Sequence, residues 1–522
     1  MSLARFYSRI ANAVGSLVGS SGDLTSFLSE TAVALQAASG VPDDPSHHEG
    51  FLLATNLCAR FYPRLHIVGP KELQEECAAL ALRINPQCDI DTAPHSSAVT
   101  LAWGCRSTAE RQVVVSPVGW RVRVDQPSAE ELVPTNLFTS LTAANLGVGE
   151  LFRTIFARFL PFGRACSTPG TFPLLTLEET AEDPPELPHG IPLGRVHLAG
   201  AGAVGQAALY TLARLPVTGT LVAVDPESLA LSNLQRYVLA FDDDVGRSKC
   251  ALAARALSGT RLAFEGVEAE WGADQLNLEP VECVCTALDT VAARIGVQVG
   301  LPHRIYNAWT QPADVGWSRH EVFGEEPCLG CLYIPSGPRP SQHELIGRAL
   351  RQADLRVLAY LTANVPVNRP LQPEQLPRLV NLPLPPDSPS WVERSILEDI
   401  GQALQMDSSQ LSAWNGKQIS DLYQEGICGG AIVSDTRGDL PQDVAVPLAH
   451  QSAFAGVMLA LELVVSSTPE LRSFRSPFVE ARFDVLAGLP QVFGRPRQRT
   501  QGCFCTDESY LARYRKKWNK NP

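Results

Sequence analysis

Apolar and polar residues fall into two long α/β stretches divided by a Pro-rich acidic segment, and a region of another kind follows them. In the first stretch, LHIVG at 65–69 reads as a short strand that runs into a helix, KELQEECAALALRI. AVTLAWG and QVVVSPVGWRVRVD read as strands, and NLFTSLTAANLGVGELFRTIFARFL as a long closing helix rich in small residues. Phe6, Ile10, Val14 and Leu17 recur at helical spacing, so the N-terminus predicts an amphipathic helix rather than a secretion signal.

This pattern divides the chain into 1–165, a linker at 166–192 containing EETAEDPPELPHGIP, and a second α/β unit at 193–335. Region 336–450 has no comparable strand pattern; helices near 341–363 and 390–406 flank the Pro-dense VPVNRPLQPEQLPRLVNLPLPPDSPS. From 451 to 522 come a helix, SAFAGVMLALELVV, a strand-like FVEARFDVL, and QGCFCTDESYLARYRKKWNKNP, whose basic end reads as a solvated helix terminus.

Composition narrows the class. The 522 residues are 45% hydrophobic and 19% charged, enough for real cores and unlike a disordered chain. Lys+Arg 43 against Asp+Glu 55 gives a net charge of −12, which argues against a nucleic-acid or anionic-membrane partner. The 13 cysteines are too few and too odd in number for a disulfide scaffold, so a cytoplasmic location is expected.

The sharpest local signal is RVHLAGAGAVGQAALYTLARL. A strand leads into Gly200, Gly202 and Gly205, and a helix starts near 204. Glycines there allow a tight turn and let an anion reach the amides at the helix N-terminus. A second strand, TLVAVD, ends in Asp225, placed to accept hydrogen bonds from ribose hydroxyls. A dinucleotide would fit these features alone. However, Asn233, Arg236 and Lys249 follow directly, and several cationic or polar groups suit a nucleoside triphosphate better. The strand ECVCTALD puts Asp289 at its C-terminal end, where a carboxylate is well placed for Mg²⁺.

These residues resemble the ThiF/MoeB-type adenylating enzymes, which include the ubiquitin-activating enzymes. The likeness is close over 193–335 and looser over 450–505. It rests on Asp225, SNLQR at 232–236, DVGRSK at 244–249, and CTALDTVAAR, which puts Asp289 and Arg294 on the family's motif. The resemblance implies an α/β fold: a Rossmann-like adenylation domain, a degenerate adenylation-like N-terminal domain, and a helical crossover insertion that carries the catalytic cysteine. It further implies that Asp225 binds the ribose of ATP, that Asn233, Arg236 and Lys249 bind phosphates, and that Asp289 organises Mg²⁺. Tyr237 and Glu227 stand where the family often has Gln and a second Asp.

Cys328 and Cys331 form CLGC, and Cys503 and Cys505 form CFC. Two close thiolate pairs are the usual make-up of a structural Zn²⁺ site. The resemblance places one pair after the adenylation strand and one near the C-terminus, although C-x-C replaces the family's second C-x-x-C. Among the other cysteines, Cys428 in DLYQEGICGGAIVSD stands apart, because Gly426, Gly429 and Gly430 free the backbone to expose a nucleophilic thiol. In ubiquitin-activating enzymes the thioester-forming cysteine lies on such a crossover. His450 could assist proton transfer or be structural. RFYSR at 5–9 is similar to a stretch through which a partner subunit supplies an arginine, so Arg9 or Arg5 is a candidate to reach the phosphates.

The resemblance thus implies ATP-dependent activation of a ubiquitin-like protein. Its C-terminal carboxylate is adenylated, transferred to Cys428 as a thioester, and passed to a conjugating enzyme, in a monomeric pseudo-dimer or a homodimer. The layout and EGICGGAI are most similar to bacterial antiphage conjugation systems. The alternatives are a sulfur-carrier adenylyltransferase without conjugation and a non-catalytic scaffold that binds a ubiquitin-like protein.

Overall fold

The computed structural model describes residues 24–93, 98–125, 132–157, 170–178, 182–272, 280–310, 314–333, 343, 346–347, 350–372, 394–404, 411–412, 414–422, 448–484 and 494–518. The chain divides into two compact units, one of Met1–Ile334 with Val446–Pro522 and the other of Pro335–Ala445.

The larger unit holds two sheets. The first begins with helix α1 (Leu24–Glu30) and strand β1 (Ala32–Ala37), followed by α2 (Pro45–Ala59), β2 (Arg64–Val68), α3 (Lys71–Ile84) and β3 (Asp89–Asp91). Strands β4 (Val99–Trp103), β5 (Gln112–Val118) and β6 (Arg121–Val124), helix α4 (Leu137–Phe156) and β7 (Gly170–Pro173) complete it. The order is β3-β2-β1-β4-β5-β6-β7; the first five strands run parallel and the last two antiparallel. Strand β7 falls within the 166–192 stretch that the sequence reads as a linker.

The second sheet repeats this layout. Its elements are β8 (Ile191–Ala199), α5 (Ala203–Leu212), β9 (Val217–Val224), α6 (Lys249–Leu257), β10 (Leu262–Val267), β11 (Cys283–Thr286), α7 (Val291–Val299), β12 (Arg304–Thr310) and β13 (Asp314–His320). The short α8 (Leu329–Tyr333) precedes the smaller unit, whose helices include α9 (Asp354–Ala363) and α10 (Ile396–Leu404). The chain returns through α11 (Ala449–Ser466), β14 (Glu480–Asp484), β15 (Gly494–Arg495) and α12 (Glu508–Trp518). The order β10-β9-β8-β11-β12-β13-β14-β15 is again five parallel strands followed by antiparallel ones. In both sheets the order reverses direction between the first strand and the fourth, with Val33 opposite Val99 in one and Val196 opposite Cys283 in the other.

One core joins the two sheets. Every residue of α11 is buried, and its small residues allow close packing. A Cβ on Gly456 would stand 2.4 Å from the Val204 carbonyl oxygen and 2.8 Å from the Ala208 nitrogen, so glycine is required for α11 to lie against α5. Among the described residues α11 is the one helix long and apolar enough to cross a membrane, and it is wholly buried. The similar ANLGVGELF segment lies on α4, which packs on β4–β6 as α11 packs on β12 and β13. The mixed α/β architecture with two parallel-dominated sheets is the Rossmann-like class expected from the sequence.

The smaller unit has its own apolar centre, including Val357, Tyr360, Ile396, Ile400, Trp414 and Leu422. Buried Arg356 pairs there with Asp399 and donates to the Arg394 carbonyl at 3.1 Å. Tyr360 donates to the Arg369 carbonyl at 2.7 Å and accepts from the Ile396 amide at 3.0 Å, tying α9 to α10.

Candidate functional site

The glycine turn joins β8 to α5. Gly200 has φ +92°, and a Cβ there would stand 2.7 Å from the Ala287 carbonyl oxygen. A Cβ on Gly205 would stand 2.1 Å from the Gly200 oxygen, so both positions demand glycine. Gly202 caps α5 without a side chain, which leaves the first helical amides uncovered by any capping group. Such an end attracts anions through its free N–H groups and the helix dipole.

Asp225 directly follows β9 and is buried. Its Oδ2 accepts from the Ala201 amide at 2.8 Å and its Oδ1 from the Glu227 amide at 2.9 Å, so the carboxylate shapes the glycine turn itself. Lys249 opens α6 and is also buried; its ammonium lies 3.7 Å from Asp225 Oδ1 and donates to Glu227. Burial works against the ammonium, yet the Tyr237 hydroxyl and the Glu227 and Asp225 carboxylates outweigh it and hold the pKa above the ordinary lysine value. Tyr237 is buried, its hydroxyl 3.4 Å from where a Cβ on Gly202 would stand.

Asn233 and Arg236 lie on the loop between β9 and α6, both partly exposed. The Asn233 Oδ1 accepts from the Ala230 amide at 2.9 Å. Burial lowers the Arg236 pKa below the usual arginine value, and its guanidinium stands 6.0 Å from the Tyr237 ring centroid. Asp289 is exposed just beyond β11, on the same C-terminal edge of the sheet. Arg294 has a different place: it is buried on α7 and donates to Asn307, Leu288 and the Ala308 carbonyl, the last at 3.0 Å, bracing the loop that carries Asp289. The fold therefore brings Gly200, Gly202, Gly205, Asp225, Asn233, Arg236, Lys249 and Asp289 to one sheet edge, with two cationic side chains beside a bare helix N-terminus. That arrangement suits a polyphosphate held against a ribose-binding carboxylate. Arg5, Arg9 and Cys428 lie outside the described residues.

The first sheet closes its equivalent position. At the N-terminus of α2, Asp44 accepts from the amides of Ser46 at 2.8 Å and His47 at 3.0 Å, so its own carboxylate takes the place an anion would need. Leu132 fills the crevice between β1 and β4: its Cδ2 stands 2.2 Å from where a Cβ on Gly104 would be, and its Cδ1 3.3 Å from one on Gly40. Beside it, His47 Nε2 is 2.9 Å from the Val133 carbonyl oxygen, and Trp103 Nε1 donates to His47 Nδ1 at 3.2 Å.

The four cysteines of the two close pairs converge. Cys328, Cys331, Cys503 and Cys505 are all buried, with their Sγ atoms within 4.8 Å of one another. Cys328–Cys503 and Cys331–Cys505 are 3.4 Å apart, and Cys328–Cys331 is 4.0 Å. A tetrahedral Zn²⁺ with ordinary Zn–S bonds needs sulfurs about 3.8 Å apart, so the donor set fits that ion. The Thr500 amide donates to Cys331 Sγ at 3.3 Å, which suits a thiolate.

One sequence expectation changes, and one open alternative narrows. The basic end of the chain is only partly solvated. Lys517 and Trp518 donate to the carbonyls of Gly300 and Leu301, each at 2.9 Å, and Tyr514 stacks on His303, because the aromatic face of α12 covers that turn. Arg513, Arg515 and Lys516 remain exposed. His450 is buried against Gly149 and the Phe152 ring, and burial pushes its pKa down to about 3. Sequence reasoning missed Glu227 as the partner of Lys249, and it missed Asn56 and Arg60. Nothing in NLCARFYP distinguishes a buried arginine from a solvated one.

Comparison with known proteins identifies the family. The ThiF family profile matches residues 191–474. The uncharacterized protein y4jF of Sinorhizobium fredii is 32% identical over 545 aligned residues, covering 100% of this chain and 98% of that protein. The SAMP-activating enzyme E1 of Haloferax volcanii is 42% identical over 159 residues, 28% of this chain and 55% of that enzyme. Among solved structures, E. coli MccB with MccA-N7isoASN is similar over 60% of this chain and 67% of that one, at 11% identity and a TM-score of 0.35. The chain belongs to the ThiF family, a superfamily of adenylating enzymes.

Proposed function

We propose that the protein activates a ubiquitin-like protein at the expense of ATP. The observation that carries this reading is the cluster of Asp225, Lys249, Asn233 and Arg236 around the uncapped N-terminus of α5. Asp225 would take the ribose, while Lys249, Arg236, Asn233 and the first amides of α5 would hold the phosphates. The substrate's C-terminal carboxylate needs no base, since it is already nucleophilic; attack on the α-phosphate requires only positioning and charge neutralisation. Bound Mg²⁺ would neutralise further phosphate charge, with Asp289 as its ligand on the protein.

In the second step the thiolate of Cys428 attacks the acyl-adenylate, AMP leaves, and a thioester forms. The acyl group then passes to a conjugating enzyme's cysteine. The separate unit at Pro335–Ala445, which contains Cys428 in sequence, and the likeness to the SAMP-activating enzyme E1 of Haloferax support this reading. The resemblance of EGICGGAI to antiphage conjugation systems supports a role in bacterial defence. The four buried cysteines would hold a structural Zn²⁺ that ties the C-terminal segment to α8. Arg9 or Arg5 would supply a further phosphate contact.

The test is incubation with ATP, Mg²⁺ and a ubiquitin-like protein encoded beside it, followed by non-reducing electrophoresis. A thiol-sensitive adduct that is lost in Cys428→Ala and kept in Cys250→Ala is expected. Pyrophosphate exchange with no adduct from the wild type would point to sulfur-carrier adenylation, and no exchange at all to a scaffold.

A further inference from the structure

The loop that carries Asn233 and Arg236 is gripped by residues of the first sheet's helices. Arg60, which caps the C-terminus of α2, is 0% exposed. Its guanidinium donates to the carbonyls of Leu234 at 2.5 Å and Ala240 at 2.9 Å, and its Nε donates to Asn56 Oδ1 at 2.8 Å. Asn56 in turn donates to the Val238 carbonyl at 3.0 Å. On the same side, Arg83 of α3 stands 4.0 Å from the centroid of the Phe241 ring. Three loop carbonyls between 234 and 240 thus find their partners in α2.

No carboxylate pairs with Arg60 among the described residues. A fully buried cation held only by carbonyls and an amide is costly to desolvate, and its removal would leave the Leu234 and Ala240 carbonyls and the Asn56 Oδ1 without their donors. Burial pushes the Arg60 pKa down to about 9, so the group still carries its charge at neutral pH. Leu234 follows Asn233 directly and lies two residues before Arg236, so the bond to Arg60 is made inside the phosphate-binding segment itself.

We infer that Arg60 is a positioning residue for ATP: the N-terminal half, having closed its own crevice, serves the second one by fixing the Asn233–Arg236 loop through Arg60 and Asn56. This inference rests on the proposed nucleotide site. It assigns the N-terminal half a function beyond any arginine that it inserts.

The test uses the full chain with Arg60→Met, Arg60→Lys and Asn56→Ala. In Arg60→Met, hydrogen exchange of the 230–244 amides is expected to speed up by about tenfold or more while β8 and β9 amides keep their protection. In pyrophosphate exchange the KM for ATP should rise by about tenfold, with a smaller fall in kcat, and Arg60→Lys should recover part of the KM. Asn56→Ala, which keeps the buried charge, should loosen the same loop to a lesser degree. Unchanged loop protection in Arg60→Met would overturn the inference; so would loss of protection that spreads equally to β8 and β9, which would mark Arg60 as part of the general core. If the wild type shows no exchange, the functional reading fails, while the loop comparison still decides the role of Arg60.

Discussion

The Lys249 ammonium stands 3.7 Å from Asp225 Oδ1 and is held by the exposed Glu227 carboxylate. Two acids just past the end of β9 and one lysine at a helix start therefore form a compact triad beside the glycine turn. An incoming phosphate would draw the ammonium from Glu227. Lys249→Met should reduce pyrophosphate exchange by roughly 10²–10³-fold, as loss of one preorganised charged donor does elsewhere. Glu227→Gln should leave exchange intact and tighten ATP binding by about two- to fivefold, since it removes a competing acceptor. Weaker binding in Glu227→Gln, measured by calorimetric titration, would show instead that Glu227 is needed to orient the lysine.

The four-cysteine cluster supports a second prediction. The purified protein should contain close to one zinc per chain by plasma mass spectrometry, and Cys505→Ser should lose most of it. Metal binding at such a site is coupled to folding, so removal should lower Tm by about 5 °C or more. Because α12 follows the Cys503–Cys505 pair and covers the Gly300–His303 turn, trypsin should then cut first at Arg513, Arg515 or Lys516. A full-length protein without metal but with unchanged Tm would refute the assignment.

How much of this was legible in the sequence depends on whether a residue's role is local. Gly200, Gly205 and Asp225 act within one contiguous strand–turn–helix–strand segment, and their spacing revealed them. The cysteine pairs were legible because the chemistry of thiolates limits what two close pairs can do. Strand β1, the middle one of the five parallel strands of the first sheet, was not read, because AVALQA is short and its neighbours come from distant segments. Arg60 was invisible for the same reason: its partners at 234 and 240 lie far away in sequence, and only the packing of α2 on that loop turns a charged residue into a buried one. The basic tail misled, because a run of Arg and Lys reads as solvated while Tyr514 and Trp518 on the opposite face do the packing.

His450 yields a pH prediction. Its folded-state pKa of about 3 lies below the ordinary 6.5, so the unfolded chain takes up a proton that the folded chain refuses between those values. Stability from the neutral, buried ring is complete above pH 6.5 and is lost as pH falls from there toward 3, at up to about 1.4 kcal/mol per pH unit. The midpoint of urea unfolding should therefore drop between pH 6.5 and 5, and His450→Gln should drop less steeply over that window. Equal slopes in the two proteins would mean that other groups set the pH dependence. At neutral pH the variant should keep pyrophosphate exchange within about threefold of wild type, since the ring faces Phe152 and Gly149 rather than the glycine turn.

On the proposed function, the closed crevice of the first sheet predicts one nucleotide site per chain. Two different devices shut it: Asp44 takes the helix amides, and Leu132 fills the gap between Gly40 and Gly104. Calorimetric titration with ATP and Mg²⁺ should accordingly give one site per chain. Leu132→Ala should cost about 1–3 kcal/mol of stability through the cavity left behind, and it should still bind one nucleotide, because the Asp44 carboxylate continues to repel an anion at the α2 amides. Asp44→Ser alone should keep one site as well, its hydroxyl replacing the cap while Leu132 blocks entry. A second site appearing in either single variant would mean that the closure left in that variant does not suffice by itself.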